Sequence, residues 1–383
     1  MISYRNKLNV LHIITSMNTG GAEMMLIKLT KYQKEINHSV IVLMQKGTLS
    51  DELTKTNANV FYVNIKQGKI PSLYHLYKII KYTRKVSPHI IQGWMYHGNL
   101  AAIFSKYFSF SSSILFWNIR QTFFDFSKEK LLTKVLIKLS IFFSKKPHKI
   151  IYNSEISSLQ HEKIGYPRCS KIIIHNGFEI KTNFSKKIPY SKKINLKKVF
   201  LETGAKRILH VSRNHPMKDH RSLLLAFKNI LKYHPNTYLI LVGLGLDKDN
   251  LFLNEMANNL EISDRLIFLG ESREIDYLLS LADLFVLSSA WGESFPNVIG
   301  EDMSHGVPCV ATNIGEIENL IDDTGIVVEP VNIQQLTEAI IKILGNENLR
   351  KSLGKKAKKR IQFFFSMEQI SEKYLSIYKE SYK

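Results

Sequence analysis

Short apolar runs alternate with amphipathic stretches along the chain. Leu8–Ile14, Ser39–Met44, Val60–Val63, His89–Gln92, Ile114–Trp117 and Ile150–Tyr152 are almost continuously apolar, the pattern of strands covered on both faces. Between them, Ala22–Lys34 (with Met24, Leu26, Ile27 and Leu29) and Leu73–Val86 carry helical spacing. This rhythm predicts a parallel sheet layered by helices. It then restarts, with Arg207–Val211, Tyr238–Val242, Leu266–Leu269, Leu284–Leu287, Val307–Ala311 and Gly325–Val328 as strands. The polar, lysine-rich stretch Lys181–Thr203, which contains Pro189, separates the two series and reads as a linker. The expected architecture is α/β, two doubly wound domains in succession. Ser366–Tyr382 follows a completed second sheet and repeats Ile370, Tyr374 and Ile377 at helical spacing. Periodicity does not say which surface that helix covers.

Composition narrows the picture. A chain of 383 residues with 44% hydrophobic and 22% charged residues folds, and its length suits two domains. No run approaches the roughly 18 apolar residues of a membrane span, and Met1–Val10 lacks the core of a signal peptide. Cys169 and Cys309 lie far apart without CxxC spacing, which argues against a disulfide framework or zinc site and for a reducing, cytoplasmic setting. The net charge of +20 is uneven: residues 1–180 carry 25 Lys and Arg against 9 Asp and Glu, residues 205–340 carry 10 against 19. The basic first half suits an anionic partner, either nucleic acid or a membrane surface, and equally a solvated lysine-rich face.

Three strings carry candidate chemistry. Thr19-Gly20-Gly21-Ala22-Glu23 links the first strand to the first helix, where glycines let main-chain N–H groups approach an anion. It is not GxGxxG, which disfavours a nicotinamide site, and a ligand-free tight turn reads equally well. In the second string, Val211 to His220, Arg213 and Lys218 leave one strand end, a planar fork and a point charge able to grip a diphosphate. The third string runs from Trp291 to Pro308. There Glu293 precedes a helix, Pro296 suits its first turn, Glu301 sits within it and Gly306 stops it. A helix N-terminus of this kind favours phosphate, and flanking carboxylates accept from sugar hydroxyls.

Taken in order, the Glu-x7-Glu string, the Arg-x4-Lys loop, the Gly-Gly-Ala-Glu turn and Asn176-Gly177 before the linker resemble retaining glycosyltransferases of family 4. The likeness runs over roughly residues 8–380 and points to bacterial enzymes building lipopolysaccharide, O-antigen or capsule. It implies the GT-B fold: two Rossmann-like domains facing across a cleft, with a C-terminal helix crossing back to the first. Residues 1–185 would be the acceptor-binding domain, 186–204 the linker, 205–365 the nucleotide-sugar domain, and 366–383 the returning helix. Arg213 and Lys218 would hold the donor diphosphate, Glu301 the ribose, and Glu293 the transferred sugar. Main-chain groups of Ser294, Phe295, Pro296, Asn297 and Val298 would seat sugar and phosphate, with Gly20 and Gly21 closing from the first domain. Phe268 to Gly270 would meet the base, and Gly243 and Gly245 would line the cleft. The family's first-domain histidine is absent from Leu115–Thr122. Arg120 is the candidate replacement and His97 of the preceding loop the second choice, with His97 and Asn99 also acceptor candidates.

The resemblance implies a UDP-sugar donor, no required metal, and a polyprenyl-diphosphate-linked or other lipid-linked glycan acceptor. The transferred group would be a hexose or N-acetylhexosamine. Asp247-Lys248-Asp249 spells a metal-binding Asp-x-Asp but reads as a helix start. Lys130, Lys134 and Lys138 form a stripe beside Leu131, Leu132, Val135, Leu136 and Leu139. That helix suits an anionic lipid surface, hence peripheral association with the inner face of the membrane, or is the exterior of an ordinary core helix. The rival activities are a UDP-sugar epimerase of the same architecture and a basic nucleic-acid binder. The latter lacks aromatic-basic platforms, so no nucleic-acid partner is expected.

Overall fold

A computed structural model describes residues 7–123, 131–180, 202–272 and 274–383. It divides into two units, residues 1–177 with 367–383, and residues 178–366. Of the expected linker 186–204, residues 186–201 lie outside the described residues, as does Lys130 of the lysine stripe.

The first unit holds a seven-stranded sheet in the order β3-β2-β1-β4-β5-β6-β7. Its strands are β1 (Leu8–Ile14), β2 (Ile36–Met44), β3 (Asn59–Ile65), β4 (Ile90–Trp94), β5 (Ile114–Ile119), β6 (Lys149–Tyr152) and β7 (Lys171–Ile173). All pair in parallel. The second unit holds six parallel strands in the order β10-β9-β8-β11-β12-β13. These are β8 (Lys206–Val211), β9 (Thr237–Val242), β10 (Leu266–Gly270), β11 (Leu284–Leu287), β12 (Cys309–Thr312) and β13 (Ile326–Val328). In both sheets the order reverses beside the first strand, between β1 and β4 and between β8 and β11. Doubly wound sheets bind ligands outside the carboxyl ends of the strands at such a reversal.

Each sheet buries both faces. β1 and β4 contribute Val10, Ile14, Ile90 and Trp94 to one layer and Leu11, Ile13 and Ile91 to the other. Val307, expected to open a strand with Pro308, stays outside β12. Gly306 stands at φ +75° and Pro308 has no N–H to give a ladder. The strand β7 was not expected: three half-buried residues carry too little pattern.

Buried polar groups in the first unit have a definite proton arrangement. Trp94 Nε1 donates to His12 Nδ1 (3.1 Å), so neutral His12 carries its proton on Nε2 and donates it to His38 Nδ1 (2.9 Å). Burial lowers the pKa of both rings, His38 to about 4.

The helix Met367–Tyr382 belongs to the first unit, where Met367, Ile370, Tyr374 and Tyr378 enter the core with β1 and β4. Its Tyr374 hydroxyl accepts from Asn118 Nδ2 (2.7 Å) and Arg120 Nη1 (3.0 Å), and Tyr378 bonds Gln92. The Gln33 amide donates to the Ser371 carbonyl (2.7 Å). The chain leaves the first unit after Gly177 and re-enters it at Met367.

Candidate functional site

In the second unit the candidate residues gather at the sheet reversal. The loop after β8 carries Arg213 and Lys218; the loop after β11 carries Glu293 and leads into the helix Asn297–His305. The two loops are stitched together: Ala290 N–H donates to the Met217 carbonyl (2.7 Å) and Ser288 Oγ to the Lys218 carbonyl (2.8 Å). Lys218 Nζ then pairs with the carboxylate of Glu293, which also accepts from Ser289 Oγ (2.6 Å). Ser289 is itself anchored, its carbonyl accepting from Thr312 Oγ1 (2.6 Å). Arg213 stands exposed at the same loop, its Nη2 3.8 Å from Met217 Sδ. One cation is therefore held by an acid, and the other faces solvent.

Main-chain curvature makes this approach feasible. Gly243, just past β9, has φ +139°, and a Cβ there would overlap the Ser212 carbonyl oxygen. Gly315 has φ +66° and lies against the carbonyls of Glu293 and Ser294, while Glu316 N–H donates to the Ser294 carbonyl (2.9 Å). Both positions exclude a side chain on conformational and steric grounds. Gly270 closes the neighbouring corner, with Gly243 N–H donating to its carbonyl (2.9 Å) and its own N–H donating to the Leu246 carbonyl (2.7 Å).

Beneath the Arg213 loop lies a second proton chain. His210 Nδ1 faces the Val286 carbonyl (2.9 Å), so it carries the proton, and Nε2 accepts from Ser212 Oγ (2.8 Å). Ser212 Oγ in turn accepts from His220 Nε2 (3.0 Å). Burial, and then Lys218, hold the His220 pKa down to about 4, which keeps this support neutral beneath the cationic loop. Sequence reasoning gave His220 no role and missed Ser289. The signal for Ser289 was its place two residues after an apolar strand.

The other expected residues divide. Pro296 is the N-cap of the helix Asn297–His305, at φ −71° and ψ 116°, one step earlier than the first-turn position expected. Asn297 and Val298 open the helix, and Glu301 is half-buried on it, its carbonyl accepting from His305 Nδ1 (2.8 Å). The Phe295 ring is buried against Phe178 and Phe365. Phe268 packs against the core of the second unit. Asp247 Oδ1 accepts from Asp249 N–H (3.1 Å) in a turn, and Asn250 caps the helix that follows. Among the described residues no cluster of three or more His, Cys, Asp or Glu could hold a metal ion.

Three first-unit expectations need correction in their detail. The N-terminus of the helix Gly21–Tyr32 is not open: the Glu23 carboxylate folds back to where a Cβ on Gly20 would be. Burial raises the Glu23 pKa, against bonds from its own N–H and Ser16. Arg120, the candidate replacement for the family histidine, is tied down within the first unit. Its guanidinium bonds Asn118 Oδ1 (3.2 Å), the Tyr374 hydroxyl and Asn176, over the Trp94 ring at 5.8 Å. Asn99 is wholly buried, with its Oδ1 accepting from Asn118 N–H (3.3 Å), so it offers no surface to an acceptor. His97, by contrast, is exposed and lines a cavity of about 370 Å³.

Residues 191–360 match the family model "Glycosyl transferases group 1". The N-acetyl-alpha-D-glucosaminyl L-malate synthase of Bacillus anthracis is 32% identical over 186 residues, 48% of each chain. The chain spans about half the length of this and the next such relatives. A UDP-Gal:alpha-D-GlcNAc-diphosphoundecaprenol alpha-1,3-galactosyltransferase of Escherichia coli is 24% identical over 99% of this chain and 98% of its own. Among solved structures, Anabaena HepE in complex with UDP superposes with TM-score 0.80 at 21% identity, over 97% of this chain and all of that one. A glycosyltransferase from Rickettsia africae gives 0.81 at 20% identity, over 98% of both. The structural likeness establishes the fold, two parallel-sheet Rossmann-like domains of the GT-B type. The family model and these relatives are likenesses to glycosyl transferases.

Proposed function

We propose that the protein is a retaining family 4 glycosyltransferase that moves a hexose or N-acetylhexosamine from a UDP-sugar to a lipid-linked glycan in surface-polysaccharide synthesis. The observation that carries the reading is the Lys218–Glu293 pair at the reversal of the second sheet, with exposed Arg213 on the same loop and a helix N-terminus directly downstream. The UDP named with the Anabaena structure and the diphosphoundecaprenol acceptor named for the Escherichia coli relative support donor and acceptor class.

Departure of the sugar leaves positive charge on its ring and negative charge on the diphosphate. Arg213 and Lys218 stabilise the latter, and the first N–H groups of the helix Asn297–His305 point toward negative charge. In the unliganded state Glu293 neutralises Lys218. An arriving diphosphate competes for that ammonium and frees carboxylate lone pairs for the hydroxyls of the transferred sugar. Glu301 takes the ribose. The acceptor hydroxyl attacks the same face from which the diphosphate leaves, and its proton passes to the departing phosphate oxygen, so no protein nucleophile is required. The reading includes no metal.

The test is incubation with a panel of UDP-sugars and polyprenyl-diphosphate-linked acceptors, with the anomeric configuration of the product read by NMR. Retained configuration in a glycosylated lipid supports the proposal. Conversion of donor without acceptor identifies the epimerase instead. Among the described residues no helix is long and apolar enough to cross a membrane. The proposed peripheral membrane contact rests on the lysine-bearing helix Leu131–Phe143, with Leu131, Leu132 and Phe142 exposed.

A further inference from the structure

The carboxyl end of the first sheet holds a cavity of about 370 Å³, within the usual range of ligand pockets. It opens where β1, β2 and β3 end, at Thr15, Met44 and Ile65. Its walls are hydrocarbon: Leu76 and Ile79 from the helix Leu73–Val86, Leu100 and Phe104 from Met95–Phe108, and Leu136 from Leu131–Phe143. A nucleotide base or a sugar would find few partners on such walls. An alkyl or isoprenyl chain would find little else.

The rim is of the opposite character. Lys66 and Lys69 stand at the two ends of one turn, closed by Lys69 N–H donating to the Lys66 carbonyl (3.1 Å), with Gly68 at φ +74°. Both lysines are exposed. No acidic residue occurs between Glu52 and Asp125, a stretch that holds nine Lys and Arg and supplies most of the wall. Leu131–Phe143 likewise contains no acid. A group with a negative charge therefore meets cations without a competing carboxylate nearby in the sequence. Directly beyond the lysine turn, Ile70 and Leu73 are 91% and 85% exposed, and on the third wall helix Leu132 is 77% exposed. Apolar surface thus continues from the cavity to the outside of the same unit.

We propose that this cavity seats the hydrocarbon chain of a phosphorylated lipid entering from a bilayer, with its phosphate on Lys66 and Lys69. The inference rests on the lipid-linked acceptor reading and deepens it by giving the lipid a place. Chain burial supplies affinity, and the paired ammonium groups select the phosphorylated form.

The probe is farnesyl phosphate, titrated calorimetrically below its micellar range into the full chain. Farnesol, inorganic phosphate and UDP serve as comparisons. The wild-type protein is expected to bind farnesyl phosphate about tenfold more tightly than farnesol, the increment of one to two charge-assisted bonds. Phe104→Trp and Ala101→Leu fill the cavity from one wall. Each is expected to weaken farnesyl phosphate by about tenfold and leave UDP affinity and the melting temperature unchanged. Lys66→Glu with Lys69→Glu should abolish the preference over farnesol while keeping farnesol binding. Farnesyl phosphate binding that survives both filling variants within about twofold overturns the proposal. Loss of UDP binding in the wild-type chain, with the lipid results as expected, instead overturns the UDP-donor reading and leaves the cavity assignment standing.

Discussion

Lys218 and Glu293 hold each other across two loops, and both side chains are almost buried, at 13% and 9% exposure. Removing only one partner strands the other. Lys218→Ala should therefore lower stability by about 2–3 kcal/mol, below the full penalty of a dry pair because each group keeps some water. It should also cut turnover by about 10²-fold or more, as expected for loss of a preorganised charge. Lys218→Met combined with Glu293→Gln should recover most of the stability and none of the turnover. Urea denaturation alongside product formation separates the two effects, and full recovery of turnover in the double variant would count against the catalytic assignment.

Two glycines with similar motif-like surroundings should behave differently. At Gly243 a Cβ meets the fixed carbonyl of Ser212 at φ +139°; at Gly20, with φ −167°, it meets only the movable end of Glu23. Gly243→Ala is expected to destabilise by about 2 kcal/mol or more and to weaken UDP binding. Gly20→Ala should change the melting temperature little. Differential scanning fluorimetry with and without UDP checks both.

Acid should destabilise the fold through neutral buried histidines. His38, His161 and His220 are held down to about 4 against an ordinary 6.5, each chiefly by burial. Below about pH 6.5 the unfolded chain takes up protons that the folded chain refuses, so stability is intact above that pH and falls as pH drops toward 4. His161, bonded to the Tyr96 hydroxyl at 2.8 Å and the Ser157 carbonyl at 2.7 Å, is a clean reporter. His161→Gln should flatten the pH dependence of the urea midpoint by about one proton over this window.

Asp302 runs the other way. Its carboxyl is wholly buried, neither oxygen has a hydrogen-bond partner among the described residues, and burial raises its pKa well above 3.8. The folded chain keeps a proton that the unfolded chain releases above about pH 4, so this residue subtracts stability as pH rises. Asp302→Asn should gain nothing near pH 4 and gain progressively toward pH 8, at up to about 1.4 kcal/mol per pH unit. Thermal melts across that range test it; a pH-independent difference would contradict the burial argument.

Local signals account for what the sequence disclosed. Leu73–Val86 was readable because its apolar spacing is helical, and in the structure Ser72 N–H is met by His75 Nδ1 at 3.1 Å. Leu284–Leu287 was readable as an unbroken apolar run between turn residues. The string Trp291–Pro308 showed that a loop and helix form a candidate site, but not that Ser289 orients Glu293, since Ser289 is anchored by Thr312, 23 positions onward on the next strand. The contacts of Arg120 were out of reach for the same reason. Its partner Tyr374 lies 254 positions onward, and no spacing rule reaches that far. Likewise, Glu23 was visible as a first-turn acid, whereas its return over Gly20 is a matter of rotamer and burial.

The last helix has a consequence for biosynthesis. Met367–Tyr382 supplies core residues to a unit whose other residues end at Gly177. A nascent chain emerging from the ribosome must carry that half-built layer, with the apolar faces of β1 and β4 uncovered, until the whole second unit has been synthesised. Chaperone dependence should therefore concentrate in the first unit, although the piece that completes it is made only after the second.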